Sequence, residues 1–291
     1  MPDSNLFSLE RFKIEDMCHH AAVCMIAKRA SGKSFIVRDL VQKLNIPSVM
    51  VISPTDKLSG FYDDFVPSSF IHYNYDTNKL TRLFQRQERM IEKNKARVKE
   101  GKKPMDIRVL LIMDDCMADK KLWTRDKNIA ELLMNGRHFF LSYFCVLQYS
   151  LGISPELRSN FDYVFLLGED YITNKKKLYE HYAGMFPSFD IFSQVFQHVT
   201  DDYGAMVLNN RIKSSNIRQK VFWYKAEVPS DSNPVKLTGS QQFIEYHKKR
   251  FDPEWNKRKQ PLDLNDFVSK RHGVRLDVNL KGGKGDDPEE D

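Results

Sequence analysis

Short apolar segments alternate along the chain with segments in which apolar residues recur at helical spacing. The apolar segments predict strands over residues 21–27, 49–52, 70–73, 109–113, 139–147, 163–167, 205–208 and 221–224. The segments between them predict helices over residues 35–44, 127–134 and 175–200. Residues 82–103 hold nine Lys/Arg against three Glu and predict a long, exposed basic helix. Buried strands that alternate with helices indicate an α/β fold, with a mostly parallel central sheet flanked by helices on both faces.

The apolar pattern weakens after Pro229, where prolines, Ser/Asp turns and basic triplets take over. We therefore predict a core domain over residues 1–228 and a helical or irregular C-terminal appendage over 229–280. Residues 281–291 are rich in Gly, Lys and acidic side chains, and this composition predicts a disordered acidic tail.

Composition narrows the classes of protein that fit. No apolar run approaches the 18 residues that a membrane-spanning helix needs. Four cysteines in 291 residues form no disulfide framework, which favours a reducing compartment. Five acidic residues of the tail mask part of the basic excess, and leaving them out raises the net charge from +6 to +11. Such a charge suits a polyanionic partner such as nucleic acid.

A phosphate-binding loop is predicted between the first strand and the first helix. Its members are Ala27, Lys28, Arg29, Ala30, Ser31, Gly32, Lys33 and Ser34. A P-loop is usually Gly, four residues, then Gly-Lys-Ser/Thr, so Ala27 stands where the first glycine is expected. In such a loop the backbone N–H groups surround the phosphates of ATP, the lysine bridges the β- and γ-phosphates, and the serine hydroxyl binds Mg²⁺. The alternative is an ordinary strand-to-helix turn.

Two carboxylates follow the most apolar strand, residues 109–113. Asp114 is suited to hold Mg²⁺, and Asp115 to orient the water that attacks the γ-phosphate. Two such close carboxylates repel each other unless Lys33 and the metal ion supply countercharge. The alternative interpretation is a strand-end turn rich in Asp.

Further polar residues stand at predicted strand ends. Gln148 follows residues 139–147 and can contact both the γ-phosphate and the water held by Asp115. Phosphoryl transfer also gains from a cation near the developing charge, and Arg137 and Arg158 are the candidates for an arginine supplied by a neighbouring subunit. Alternatively, either arginine forms a salt bridge, or Lys28 and Arg29 act within the same subunit.

The loop at 27–34 resembles the Gly-Lys-Arg-Gly-Ser-Gly-Lys-Ser loop of genome-packaging ATPases from nucleocytoplasmic large DNA viruses. Asp114-Asp115, Asn135-Gly136-Arg137-His138, Gln148 and Leu157-Arg158-Ser159-Asn160 follow in the order of that family. The resemblance covers residues 20 to 226, and Ala27 and Ala30 depart from it by replacing glycines.

The resemblance implies a RecA-like ASCE P-loop core of the FtsK–HerA superfamily. It implies a homo-oligomeric ring, a pentamer or hexamer, that hydrolyses ATP with Mg²⁺ to move double-stranded DNA into a capsid. Capsid or membrane-associated virion proteins are implied partners, and the virion and the viral factory in the host cytoplasm are implied locations. Two alternatives stay open: a nucleotide-binding structural protein with little turnover, and a P-loop kinase of small molecules.

Overall fold

A computed structural model describes residues 7–149 and 153–253, which contain one eight-stranded sheet. The strands are β1 (Ala22–Ile26), β2 (Ser48–Ile52), β3 (Ile71–His72), β4 (Val109–Asp114), β5 (Leu141–Leu147), β6 (Tyr163–Leu167), β7 (Ala205–Asn209) and β8 (Val221–Tyr224). Their order is β3-β2-β4-β5-β1-β6-β7-β8. The strands from β3 to β6 in this order are parallel, whereas β7 is antiparallel to both its neighbours. The predicted α/β class with a mostly parallel sheet is confirmed.

Helices connect the strands and cover both faces of the sheet. The longer helices are α1 (Lys33–Leu44), α3 (Thr77–Lys99), α5 (Lys127–Asn135), α7 (Ile172–Tyr182), α8 (Phe189–Thr200) and α10 (Gln241–Arg250). The four-residue helices are α2 (Asp56–Ser59), α4 (Lys120–Trp123), α6 (Pro155–Arg158) and α9 (Ile217–Lys220). None of the described helices is both long and apolar enough to cross a bilayer.

Alternate residues of each central strand point to opposite faces and build two cores. On β1, Cys24 belongs to the core formed with α3, α5, α7 and α8, whereas Val23 belongs to the core formed with α1. Apolar residues at helical spacing bury one side of α1 against the sheet: Ile36, Val37, Leu40 and Val41. This packing fixes the start of α1, and with it the predicted phosphate loop, relative to the end of β1.

Three predicted boundaries need correction. The strand predicted over residues 139–147 begins only at Leu141, because Phe139 closes a short 3₁₀ turn and Phe140 has a left-handed φ of 59°. The helical region predicted over 175–200 is two helices, α7 and α8, because Pro187 lies between them and proline cannot continue a helix. The basic helix predicted over residues 82–103 spans Thr77–Lys99. It begins at Thr77 because the Asp76 side chain accepts a hydrogen bond from the N–H of Asn78 and caps it, and it ends before Gly101, whose φ of 72° is left-handed.

Residues after position 228 pack on the core as far as they are described. The backbone N–H of Thr238 donates to Phe65 O and that of Ser240 donates to Pro47 O, both at 2.8 Å. The rings of Phe243 and Phe70 stack with centroids 4.0 Å apart. The described residues up to Phe251 thus belong to one compact unit. The division at residue 228 stays a prediction, and most of the appendage and the whole acidic tail lie outside the described residues.

Candidate nucleotide-binding site

The predicted phosphate loop, the paired carboxylates and Gln148 lie together at the carboxyl edge of the parallel strands. Ile26 at the end of β1 is in register with Leu147 at the end of β5, and Asp114 is in register with Val146. Because adjacent parallel strands end at the same edge, the loops that follow β1, β4 and β5 are neighbours. This edge is where open α/β sheets bind their ligands.

Glycine is required at the tip of the loop. Gly32 has a φ of 87°, a region that side chains disfavour. A Cβ added there would also lie 3.1 Å from the Cβ of Tyr203. The Ser31 hydroxyl donates to Lys28 O at 2.7 Å and braces the loop from within.

The two alanines of the loop differ in their backbone conformation. Ala27 is buried, its N–H donates to Leu147 O at 2.9 Å, and its φ is not positive. Its methyl group therefore replaces the usual glycine without strain. Ala30, in contrast, has a left-handed φ of 60°. This strained conformation explains why glycine suits position 30 better.

Lys33 and Asp114 form the central ion pair of the site. Lys33 Nζ donates to Asp114 Oδ1 at 2.7 Å, and both side chains are largely buried. The second oxygen, Oδ2, accepts a hydrogen bond of 3.0 Å from the Tyr62 hydroxyl. Burial raises the pKa of Tyr62 well above its ordinary value, with the Asp114 charge adding to the rise, so the hydroxyl remains a donor. Tyr62 belongs to no sequence motif, and pattern analysis missed it.

Asp115 lies at the turn that ends β4, with a left-handed φ of 57°. Its Oδ1 accepts a hydrogen bond from Gln148 Nε2 at 2.5 Å. Burial raises the pKa of the Asp115 carboxyl; Lys33 lowers it, and the Asp114 charge raises it further. Asp115 and Gln148 therefore form a second polar pair beside the first, as expected for strands that end at the same edge.

An open cleft of about 450 Å³ lies over the loop, a volume within the range of small-molecule sites. It is lined by residues 27–30, 32–35, Gln148 and Tyr203. The donor set beside it fits a magnesium nucleotide. The lysine and the start of α1 suit phosphate, while the Ser34 hydroxyl and the Asp114 carboxylate are hard oxygen ligands of the kind that Mg²⁺ prefers.

The two basic residues inside the loop have different surroundings. Lys28 forms an ion pair with Asp170, in the segment that follows β6. Arg29 is exposed, and its charge lowers the pKa of Asp115. Arg29 therefore acts electrostatically on the carboxylate predicted to orient water.

Neither predicted arginine, Arg137 or Arg158, lines this cleft. Arg137 is exposed and precedes β5, so it lies at the amino edge of the sheet. The seven residues of β5 separate it from Gln148 by roughly 20 Å at about 3.3 Å per residue. Arg158 packs 5.5 Å over the ring of Tyr182, with its Nη1 buried.

The sequence matches the family described as Poxvirus A32 protein over residues 9–175, more than half of the chain. The chain belongs to this family. The uncharacterized protein L437 of Acanthamoeba polyphaga mimivirus is 42% identical over 282 residues, 95% of this chain and 97% of that protein. The uncharacterized protein 075L of Invertebrate iridescent virus 6 is 32% identical over 237 residues, 81% of this chain and 88% of that protein. The resemblance to the packaging ATPase family of large DNA viruses is confirmed.

Solved structures share the fold at low identity. The genome packaging NTPase B204 from Sulfolobus turreted icosahedral virus 2, in complex with AMP, has a TM-score of 0.51 at 14% identity and covers 73% of this chain and 100% of its own. The pCW3 conjugation coupling protein TcpA with ATPgS has a TM-score of 0.50 at 10% identity, covering 74% of this chain and 62% of its own. At these identities the likeness shows the fold alone.

Proposed function

We propose that this member of the Poxvirus A32 protein family is an ATPase that drives double-stranded DNA into a viral capsid as a homo-oligomeric ring. The observation that carries the proposal is the pairing of Lys33 with Asp114 and of Gln148 with Asp115 beside one cleft. The genome packaging NTPase B204, which shares the fold, was solved with AMP and with ATP-gammaS, and this supports a nucleotide as the ligand.

The Lys33–Asp114 ion pair must accommodate the triphosphate when the nucleotide binds. Without nucleotide, the Lys33 ammonium is neutralised by Asp114. A bound triphosphate offers Lys33 a second anionic partner, and the backbone of residues 27–34 surrounds the phosphates. Ser34 and Asp114 would hold Mg²⁺, which would supply countercharge to the phosphate oxygens. Tyr62 keeps the Asp114 carboxylate oriented toward the cleft through its hydrogen bond.

Asp115 and Gln148 act on the attacking water. The Asp115 carboxylate accepts a hydrogen bond from that water and aligns it with the γ-phosphate. Gln148 donates to Asp115 Oδ1 and so fixes the orientation of the carboxylate while its own amide faces the cleft. Because its amide faces the cleft, Gln148 can also contact the γ-phosphate and so respond to whether that phosphate is present.

Phosphoryl transfer also gains from an arginine near the developing charge, and we propose that a neighbouring subunit supplies it. Arg137 is exposed at the amino edge and forms no ion pair within residues 7–149 and 153–253, so its guanidinium is available to another copy of the chain. Arg158, the second candidate, would first have to leave Tyr182. We therefore favour Arg137 as the arginine supplied in trans.

DNA contacts are proposed for the basic surface of α3. The exposed cations on this helix are Arg82, Arg86, Arg89, Lys93, Lys95 and Lys99. A second basic cluster comprises Arg211, Lys213, Arg218 and Lys220, but there Arg211 forms an ion pair with Asp162 at 3.0 Å. Binding through phosphates is independent of sequence and weakens steeply with salt. Capsid or membrane-associated virion proteins are proposed partners, and the virion and the viral factory in the host cytoplasm are proposed locations.

Phosphate release measured while duplex DNA is titrated, alongside the mass of the oligomer, tests the proposal. We expect DNA to stimulate turnover, and we expect the measured mass to be that of a pentamer or hexamer. A turnover rate unchanged by DNA would contradict a motor. Tight ATP binding without turnover, unaffected by Asp115→Asn, would indicate a nucleotide-binding structural protein. Release of ADP without inorganic phosphate, dependent on an added acceptor, would indicate a kinase.

A further inference from the structure

The cleft above the phosphate loop has an aromatic wall that no motif predicts. Tyr203 lines the cleft with 63% of the residue exposed. Its side chain lies against the loop, because a Cβ added to Gly32 would meet Tyr203 Cβ at 3.1 Å and Cδ1 at 3.3 Å. An exposed tyrosine in direct contact with the loop glycine is placed to touch whatever the loop binds.

The backbone holds this ring in a strained conformation. Asp202 and Tyr203 both have left-handed φ angles, 48° and 62°, which are disfavoured for residues with a side chain. The next residue must be small, because a Cβ added to Gly204 would lie 2.1 Å from Val199 O. Asp202 also forms an ion pair with Lys225, the residue that follows β8. Strain of this kind is found at ligand-binding segments, where the surrounding structure maintains it.

The strand order places Tyr203 on the side of the loop away from the catalytic carboxylates. Asp114 ends β4 and Asp115 follows it, on one side of β1, whereas Tyr203 precedes β7, which lies on the other side. Ala205 is in register with Leu167, the last residue of β6, so Tyr203 stands at the carboxyl edge together with the phosphate loop. A nucleotide whose terminal phosphate lies near the carboxylates therefore extends its base toward Tyr203.

A second aromatic side chain borders the same cleft. Phe35 is 48% exposed and is the third residue of α1. The guanidinium of Arg38 lies 5.1 Å from the centre of its ring. Phe35 thus presents an apolar surface beside the loop, and Tyr203 presents the other.

We propose that Tyr203 is the stacking platform for the base of the nucleoside triphosphate, with Phe35 bordering it. The inference rests on the proposed function and assigns to Tyr203 a role in binding the base. Every nucleobase has a flat π-face, so stacking adds affinity but discriminates little between bases. The site should accordingly bind ATP and GTP with similar affinity.

Calorimetric titration with two probes separates the base from the phosphates. The probes are ATP and inorganic tripolyphosphate, each with Mg²⁺, and the proteins are wild type, Tyr203→Ala, Tyr203→Leu and Tyr203→Phe. Removing the ring should weaken ATP binding about 5- to 150-fold, the range for loss of one base–aromatic stack. Tripolyphosphate affinity should stay unchanged, and Tyr203→Phe should bind ATP like wild type. Tyr246→Ala, which removes another exposed tyrosine, is the matched control.

Each contrary result has its own meaning. Equal losses of ATP and tripolyphosphate affinity would show that Tyr203 acts on loop shape, and unchanged ATP affinity would show that it does not contact the base; either overturns the inference. Tyr203→Leu keeps the bulk against Gly32, so it tests stacking even if the alanine variant fails to fold. A wild-type protein that binds tripolyphosphate but not ATP overturns the inference while leaving the phosphate loop intact. A wild-type protein that binds neither probe contradicts the proposed function itself.

Discussion

The carboxyl edge and the amino edge of the parallel strands carry different chemistry. At the carboxyl edge, Lys33, Asp114, Asp115 and Gln148 are joined by short contacts around one cleft. At the amino edge, Arg137 is exposed and roughly 20 Å away from Gln148. One subunit thus supplies the phosphate loop and the carboxylates but not the proposed arginine. Under the proposed function, a complete site therefore requires the amino edge of one subunit to meet the carboxyl edge of another.

Removing Lys33 should have the largest effect on the carboxyl edge. In Lys33→Ala the phosphates lose their central cation and the buried Asp114 carboxylate loses its ion-pair partner. We expect phosphate release to fall to background and ATP binding to weaken by at least about tenfold, since a charged hydrogen bond contributes about 1.5–3 kcal/mol. Calorimetry and a phosphate-release assay measure both, with Lys121→Ala, an exposed lysine elsewhere, as control. Normal turnover in Lys33→Ala would show that ATP is not hydrolysed at the carboxyl edge.

Arg137 tests whether the amino edge completes a neighbouring site. We expect Arg137→Ala to lower turnover by about 10³- to 10⁵-fold, the range for an arginine finger, without weakening ATP binding. When inactive Arg137→Ala subunits are mixed with wild type, turnover should depart from proportionality to the wild-type fraction, because each mutant subunit affects its neighbour. Strict proportionality would argue against sharing.

Arg158 provides the contrast, because its guanidinium packs on Tyr182. Arg158→Ala should mainly lower thermal stability. A larger loss of turnover in Arg158→Ala than in Arg137→Ala would exchange the roles that we propose for the two arginines.

Asp115→Asn probes the second polar pair of the carboxyl edge. The substitution keeps the shape of the side chain but removes the charge that we propose holds the attacking water. We expect ATP affinity to be retained and turnover to fall about 10²- to 10⁴-fold, the usual contribution of a positioned base. Single-turnover phosphate release separates this loss from slower product release. An Asp115→Asn protein that turns over normally would show that Gln148 pairs with a carboxylate of no catalytic importance.

The smallest effect is expected at Ala30. Its left-handed φ of 60° disfavours alanine, so Ala30→Gly removes strain of about 1–2 kcal/mol, partly offset by the greater freedom of glycine in the unfolded chain. We expect a slight rise in the free energy of unfolding, measured by urea denaturation. Ala27→Gly is the matched comparison and should be neutral or destabilising, because Ala27 is buried without a positive φ. A lower free energy of unfolding in Ala30→Gly would show that contacts of the Ala30 methyl group outweigh the strain of its left-handed backbone.

The carboxyl edge was predictable from sequence because its residues follow apolar strands. Once parallel strands are inferred, Lys33, Asp114 and Gln148 are brought to one edge by topology alone. Tyr62 and Tyr203 were not predictable, because they reach the site from loops whose paths depend on tertiary packing and, at Tyr203, on two successive left-handed residues. The start of β5 was misplaced because Phe139 and Phe140 are as apolar as the strand that follows them.

The structure of the protein with Mg²⁺ and a non-hydrolysable ATP analogue tests the central claim most directly. We predict a triphosphate held by Lys33 and the backbone of residues 27–34, with the metal ion between Ser34 and Asp114 and the γ-phosphate facing Asp115. An analogue bound elsewhere, or no analogue bound at the loop at a saturating concentration, would contradict this assignment.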